Sequence, residues 1–369
     1  MWRWTLRSLL SEPVALIISV AAIASALLLV LLFEAVYAGE SEQIVAYVDH
    51  SEADIWVMQR GVSNMHMATS YLSDWKVNQV RDVQGVAEVD AILYLNTVIE
   101  TGGQRWFSYV VGLGLPSNLA GPWAMETGRA EPRPGEAIVP AVLAEMTDLS
   151  LGDPVRITDR DFTVVGFSEG TFSMANSVVF ITRADLENLM RSLDIVSFVL
   201  VSAEAGVDLS KLAANIENEV EDVRALTADE FVRNDKRMAM QMGVETIALM
   251  TLIGGALAML LVAFAVYSQV ARQRRELAVV KALGATNRSL YVNVSLRSTA
   301  ITVASIAVAV GLSVVIMPII TALIPQVTLK MTAVAVTRIG VLGIGVALIA
   351  SLIPAHQIAR VDPVSAFSA

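Results

Sequence analysis

The sequence predicts an α-helical membrane protein with four transmembrane helices and both termini inside, into which an extracytoplasmic α+β domain is inserted. Hydrophobic residues make up 55% of the 369 residues, more than the roughly 45–50% of a typical soluble domain. The excess is concentrated in one run near the N-terminus and three near the C-terminus, whereas the middle reads as an ordinary water-soluble domain. Basic residues gather beside the apolar runs on one predicted side.

The first span is predicted from Val14 to Leu32, a run without any charged residue. About 20 such residues cross a hydrocarbon core as a helix. A cleaved signal peptide is the alternative interpretation, but its apolar region is normally about 7–15 residues long and ends at a small-x-small site. Phe33-Glu34-Ala35 is a poor site of that kind, so an uncleaved anchor is favoured.

Three further spans are predicted in the last third of the chain. Their approximate limits are residues 245–268, 299–324 and 333–354, each long enough to cross a bilayer. Pro318 falls inside the third span, where a membrane helix tolerates a kink if neighbouring groups satisfy the freed carbonyl.

The orientation follows from lysine and arginine in the flanking segments. Arg3 and Arg7 precede the first span, and acidic residues follow it, namely Glu34, Glu40 and Glu42. The segment between the second and third spans carries one acid, Glu276, against the bases Arg272, Arg274, Arg275, Lys281, Arg288 and Arg297. This segment is therefore predicted to lie inside, together with the tail that contains Arg360.

The predicted domains are an N-terminal segment with the first span (1–37), an extracytoplasmic domain (38–240) and a membrane domain with the other three spans (241–369). Turn-forming residues between 121 and 135 predict a passage from an α/β lobe into a β-rich lobe of about residues 121–180. The chain is then predicted to return to the first lobe after about residue 185.

Helix and strand signals alternate within the extracytoplasmic domain. They predict a helix at Leu72–Val83, strands at Ala87–Leu95, Val178–Ile181 and Phe198–Val201, and a hairpin formed by Val155–Thr158 and Phe162–Phe167.

Three residues are predicted to begin helices in this domain as N-caps: Thr182, Asp208 and Thr227. After Asp208, apolar residues recur at helical spacing. The helix that begins after Thr227 has no stop signal before the second span, which predicts one long rod, softened at Gly243.

Several functions are not expected from this chain. It contains no cysteine, so thiol chemistry and thiolate metal sites are excluded. Its net charge of −10 argues against nucleic acid as a partner. No GxxxxGK[ST], HExxH or GxSxG motif occurs, and the three histidines are far apart at 50, 66 and 356. We therefore predict no catalytic residue, no metal site and no cofactor in the chain itself.

The segment Asn64-Met65-His66-Met67 invites comparison with copper and haem ligands, since these metals accept thioether and imidazole groups. Methionine is common throughout the chain, however, and a lone histidine is more often structural. The structural interpretation is favoured.

The segment from Arg272 to Ala285 is predicted to be a short amphipathic helix along the inner face of the membrane, ending at a Gly284 cap. Leu277, Val280 and Leu283 would form its apolar side. On charge alone, binding to lipid headgroups is an equally good interpretation.

Three similarities to known families are present. RRELAVVKALGA, residues 274–285, resembles the FtsX-like permease signature REIAxLKALGA, and the tail 353–367 resembles that domain's closing pattern PAxxAxxxxPxxAL, with Phe367 in place of leucine. The stretches 134–139, 149–155 and 162–166 are similar to the β-rich lobe of MacB-type permeases. The chain thus resembles a MacB-type (type VII) ABC transporter permease over most of its length.

This resemblance implies a multi-pass subunit of a bacterial inner (cytoplasmic) membrane complex. Such permeases pair as dimers, most simply homodimers, and two copies of a separate cytoplasmic ABC ATPase bind ATP and Mg. By position, the ATPase-coupling residues would be Arg274, Arg275, Glu276, Leu277, Val280, Lys281, Leu283, Gly284 and Ala285. A periplasmic adaptor protein and membrane lipids are further implied partners. Glu276→Lys or Gly284→Pro is predicted to abolish coupling.

Two acidic residues lie at the outer ends of predicted spans, Glu34 and Glu245. Their side chains either reach the interface or line an outer-leaflet opening for an amphiphilic substrate.

Two functions stay open. In the first, the complex exports or extracts a lipid, peptide, drug or lipoprotein by mechanotransmission. In the second, it relays a signal that activates a cell-wall hydrolase. The predicted size of the outside domain favours export. A sensor of antimicrobial peptides is a third option, but such sensors usually carry more membrane helices.

Overall fold

A computed structural model describes residues 13–66, 68–172, 177–239, 245–272 and 274–360. The chain divides into two compact units. The membrane unit comprises Met1–Gly39, Thr246–Leu323 and Leu329–Ala369. The extracytoplasmic unit comprises Glu40–Glu245 together with Ile324–Thr328.

Four helices of the described chain are long and apolar enough to span a membrane, which confirms the predicted fold class. They are α1 (Pro13–Gln43), α8 (Glu245–Arg272), α10 (Asn287–Leu323) and α11 (Ala333–Arg360). A short helix, α9 (Arg274–Ala282), lies between α8 and α10 in the chain. Large apolar side chains such as Leu252 and Phe264 remain exposed on these helices, as expected for surfaces that face lipid.

The third span begins earlier than its hydropathy predicts. Helix α10 starts at Asn287, where the Thr286 hydroxyl accepts a hydrogen bond from the Ser289 amide at 3.3 Å in the manner of an N-cap. Arg297 therefore lies within the helix and is buried, not in a loop as predicted. The connection between α9 and α10 is correspondingly short.

The membrane unit is held together by small and branched side chains on facing helices, including Ile23, Ala258, Ile301 and Ala347. Small residues let membrane helices approach closely, where dispersion contacts stabilise the packing. At Gly254, a Cβ atom would come within 2.9 Å of the Phe33 ring, so α1 and α8 are in tight contact there.

The extracytoplasmic unit is built on one mixed sheet with strand order β12-β1-β11-β3-β4-β9-β6-β8-β5, in which β7 pairs with β3 and β8. The strands of this sheet are β1 (Ile55–Gln59), β3 (Val86–Thr101), β4 (Gln104–Leu113), β5 (Met125–Gly128), β6 (Glu136–Pro140), β7 (Pro154–Ile157), β8 (Arg160–Ser168), β9 (Ser177–Thr182), β11 (Phe198–Ala203) and β12 (Val223–Thr227). A second sheet pairs β2 (Leu72–Ser73) with β10 (Ile195–Val196).

Helices pack on both faces of the large sheet. They are α2 (Ala46–Asp49), α3 (Trp75–Arg81), α4 (Ala141–Thr147), α5 (Arg183–Met190), α6 (Leu209–Glu219) and α7 (Ala228–Ala239). Strand β1 shows why two layers are needed, because Ile55 and Val57 enter one core while Trp56 and Met58 enter the opposite one. Alternate residues of a strand point to opposite faces, so both faces of β1 must be covered.

Several local predictions are confirmed, and two are corrected. Strands β7 and β8 form the predicted antiparallel hairpin, and Thr182 accepts the predicted capping hydrogen bond from the Asp185 amide at 3.1 Å. Asp208 caps α6, and Thr227 accepts from the Glu230 amide at 3.4 Å. Strand β3, however, extends well beyond the predicted Leu95, and the helix predicted from Leu72 begins only at Trp75, because Leu72 and Ser73 pair with β10.

Helix α7 is anchored to the domain by its buried face. The Phe231 ring stacks on Trp56 with centroids 4.9 Å apart and also contacts Phe198. Residues 240–244, including Gly243, lie outside the described residues, so the predicted continuity from α7 into the second span stays a prediction.

The histidine of the Asn64–Met67 segment has an internal partner on α7. His66 Nδ1 lies 2.8 Å from Asp235 Oδ1, and both side chains are buried. The same oxygen accepts hydrogen bonds from the Met65 and His66 amides at 2.8 and 3.2 Å. His66 thus ties the loop after β1 to α7; Met67 lies outside the described residues.

Candidate functional site

The cytoplasmic candidate site is the turn between α9 and α10. At the end of α9 the Gly284 amide donates to the Lys281 carbonyl at 3.0 Å, and the Ala285 amide donates to the Val280 carbonyl at 3.2 Å. Gly284 itself has a φ of +98° with open space around its Cα, a conformation that favours glycine. The predicted glycine cap is therefore present.

The apolar residues of α9 and of the turn that follows it differ in exposure. Leu277 is buried in the membrane-unit core, and Val280 packs against the same core. In contrast, 84% of Leu283 is exposed, directly before the glycine cap. The turn thus presents a large apolar side chain at its tip while its helix is held by the other face.

Lys281 connects the end of α9 to α11 by a hydrogen bond. Its Nζ donates to the Ala359 carbonyl at 2.6 Å, near the C-terminal end of α11. A cation is favoured there because the last carbonyls of a helix carry partial negative charge. Nearby, the Tyr291 hydroxyl hydrogen-bonds His356 Nδ1 at 2.8 Å and joins α10 to α11.

The other residues predicted to contact the ATPase lie at the start of α9 and just after its cap. Arg274, Arg275 and Glu276 belong to the first turn of α9, but their side chains lie outside the described part of the structure. The same holds for the tail beyond Arg360. Ala285 follows the cap and leads into α10.

Removal of the Lys281 ammonium should loosen α9. Lys281→Met keeps the aliphatic stem but loses the charge-assisted hydrogen bond, which is worth about 1.5–3 kcal/mol. We expect amide hydrogen exchange in α9 to accelerate about tenfold or more, since 1.4 kcal/mol corresponds to a factor of ten. The control is Lys211→Met, because Lys211 is exposed and pairs only locally with Asp208; unchanged exchange in α9 of Lys281→Met would contradict the assignment.

The second candidate site is a groove in the membrane unit between α1, α8 and α11. Its volume is about 510 Å³, within the about 300–1000 Å³ of small-molecule pockets. Its polar lining consists of Glu34, Tyr37, Thr251 and Arg338. Its apolar lining includes Val30, Leu252, Met259, Ile339 and Leu342. We call this the membrane groove.

An ion pair lies in the membrane groove. Arg338 Nη2 donates to Glu34 Oε1. The Glu34 side chain is 15% exposed, whereas that of Arg338 is 55% exposed. An isolated charge within a span is costly, and this cost is reduced when the two charges pair.

The sequence interpretation found Glu34 but missed Arg338. A single arginine six residues into α11 hardly changes the mean hydropathy of an otherwise apolar run, and its partner is distant in the chain. The available signal was the charge itself, because ionisable residues inside spans are rare and usually functional. Glu245 is the first residue of α8, but its side chain lies outside the described part of the structure.

The comparisons with known proteins agree with this architecture. Residues 16–219, more than half of the chain, match the model of the MacB-like periplasmic core domain, and residues 248–363 match that of the FtsX-like permease C-terminal domain. An uncharacterized ABC transporter permease of Mycobacterium tuberculosis (strain CDC 1551) is 23% identical over 328 residues, covering 87% of this chain and 86% of the relative. A relative with the same description from Mycobacterium bovis is 23% identical over 326 residues with the same coverage.

Solved structures are more distant. The periplasmic region of MacB from Actinobacillus actinomycetemcomitans aligns with 52% of this chain and 96% of its own length, at 10% identity and a TM-score of 0.39. The assignment rests instead on the two family models, the four spans and the inserted domain with its mixed sheet. On these grounds the chain belongs to the MacB-type ABC transporter permeases with an FtsX-like permease domain.

Proposed function

We propose that this permease converts ATP hydrolysis by a separate cytoplasmic ATPase into movements of its extracytoplasmic domain, which export or extract a substrate by mechanotransmission. The family implies an ATPase partner, and two ATPase copies would serve a permease homodimer in the inner membrane. A periplasmic adaptor would complete an export pathway. ATP and Mg would be bound by the ATPase, so that this subunit needs no cofactor of its own.

The observation that carries the proposal is the exposure of Leu283. An apolar side chain that is 84% exposed at the end of a glycine-capped helix is suited to enter a pocket on another protein. Leu277 and Val280, on the inner side of the same helix, pack in the membrane-unit core. A push on Leu283 would therefore reach the transmembrane helices through packed side chains.

At the opposite end, two features support transmission of force. Phe231 and Asp235 hold α7 to the extracytoplasmic core, and α7 precedes the second span in the chain. In addition, Glu40 Oε1, at the end of α1, accepts a hydrogen bond from the Thr328 amide at 2.9 Å. The extracytoplasmic unit is thus connected to segments that continue into α1, α8, α10 and α11.

The test is the dependence of ATPase activity on the permease. With the permease and its ATPase reconstituted in nanodiscs, Leu283→Asp should reduce permease-stimulated ATP hydrolysis at least about tenfold, because burying an unpaired carboxylate in an apolar pocket costs several kcal/mol. Leu193→Asp is the matched control, because Leu193 is an exposed leucine of the extracytoplasmic unit. Equal stimulation by both variants would refute the proposed coupling.

A further inference from the structure

The dimensions of the membrane groove match one leaflet of a bilayer. Helix α8 lines it from Ala248 to Met259, and eleven steps at about 1.5 Å per residue give about 16 Å. Half of a hydrocarbon core of about 30 Å is nearly the same length. Apolar residues of α1 and α11 line the other sides, so that an extended acyl chain would find hydrocarbon contacts along the groove.

The membrane groove is lined by one acidic and one basic side chain, Glu34 and Arg338. Arg338 is bound to Glu34 through Nη2 and is half exposed, so the planar guanidinium still presents donors to a ligand. Such a fork matches the oxygens of a phosphate. Glu34 offers a carboxylate to a cation, and the pair has no net charge. A ligand with only one charge would pair with one residue and be repelled by the other.

We propose that the membrane groove binds a zwitterionic phospholipid, with an acyl chain along the groove, its phosphate on Arg338 and its ammonium group near Glu34. The complementary pair of charges selects this occupant over a purely anionic lipid or an uncharged amphiphile. Binding of the lipid does not depend on the proposed function. Only the use of the bound lipid, as cargo or as a part of the moving membrane unit, rests on that function.

One glycine provides a variant that fills the groove without disturbing the packing. Gly255 lines the groove, and a Cβ atom added there would meet nothing within 4 Å. Gly255→Leu should therefore fill the space intended for the acyl chain. Gly311 in α10 is equally open but does not line the groove, so Gly311→Leu is the matched control.

Binding can be measured by photolabelling of the full-length permease in nanodiscs, without ATPase. The probe is a phosphatidylethanolamine with a diazirine on one acyl chain, and labelled peptides are identified by mass spectrometry. We expect labelling of α8 and α11 peptides that line the groove, reduced about tenfold in Gly255→Leu and unchanged in Gly311→Leu. A diacylglycerol probe with the same acyl chains should label the groove less, and Arg338→Gln should remove this difference.

Three results would overturn the proposal. One is equal labelling of the groove in Gly255→Leu and in the unaltered protein; another is equal labelling by the two probes in the unaltered protein. The third is a disulfide between two copies carrying Leu342→Cys, which would show that a second copy occupies the groove. The cysteine-free chain makes that crosslink specific. Because the labelling assay contains no ATPase, its result is independent of the coupling test: equal ATPase stimulation by Leu283→Asp and Leu193→Asp, with labelling of the groove intact, would refute the proposed function alone.

Discussion

Gly284→Pro is expected to reduce permease-stimulated ATP hydrolysis about a hundredfold. Proline fixes φ near −65° and lacks an N–H, whereas Gly284 has a φ of +98° and its amide donates to the Lys281 carbonyl. The cost of such a misplaced proline is about 3 kcal/mol or more, and every 1.4 kcal/mol corresponds to a factor of ten. The tip with Leu283 would then lose its defined position. The measurement is ATPase activity in nanodiscs at saturating permease.

The control for this prediction is Gly284→Asn. Asparagine tolerates the left-handed conformation better than other non-glycine residues, and no neighbouring atom obstructs a Cβ at this position. We expect stimulation within about threefold of the unaltered protein. Equal losses in Gly284→Pro and Gly284→Asn would show that the conformation of the cap is not what matters, and both variants should insert into the membrane normally.

Asp235→Ala is expected to destabilise the extracytoplasmic unit by about 2–6 kcal/mol, because it leaves two buried amides without an acceptor, each at a cost of about 1–3 kcal/mol. The substitution removes the acceptor of two buried amides and the partner of His66 at once. Phe231 lies one helical turn before Asp235 in α7, and its ring stacks on Trp56 of β1. Intrinsic tryptophan fluorescence can therefore follow the thermal transition. We expect its midpoint to fall by about 10 °C, as domains of this size lose about 2–4 °C per kcal/mol.

Two further variants test whether the loss of stability is specific to the Asp235 carboxylate. Asp235→Asn keeps an acceptor for the two amides and should lose less stability than alanine. Asp229→Ala removes an exposed carboxylate from the same helix and should change stability by no more than about 0.5 kcal/mol. A midpoint for Asp235→Ala that matches the Asp229→Ala value would contradict the anchoring role assigned to Asp235.

Features that depend on neighbouring residues were predictable from the sequence. The four spans follow from apolar runs long enough to cross a bilayer, and the Thr182 and Asp208 caps follow from a short polar side chain placed before a helical pattern. The Gly284 cap was predictable for the same reason, because its conformation is decided within one turn. These features need no knowledge of the tertiary structure.

Features that depend on distant residues were not predictable in this way. Asp235 looks like a solvated residue of a charged helix until His66 and two amides are placed beside it. The ion pair of Arg338 could not be predicted either, because its partner Glu34 lies on another span. Strand β3 continues past Leu95 through polar residues such as Asn96, because β4 pairs with it from Ile92 to Thr101, and no local signal reveals that partner.

Strand β3 has a mechanical consequence. It pairs with β11 from Val86 to Ile92, with β4 from Ile92 to Thr101 and with β7 near its end. A pull along its axis would load these interstrand bonds in shear, all together, instead of unzipping them one after another. Tension along β3 is therefore distributed over the hydrogen bonds to β11, β4 and β7, so that no single bond has to carry the load alone.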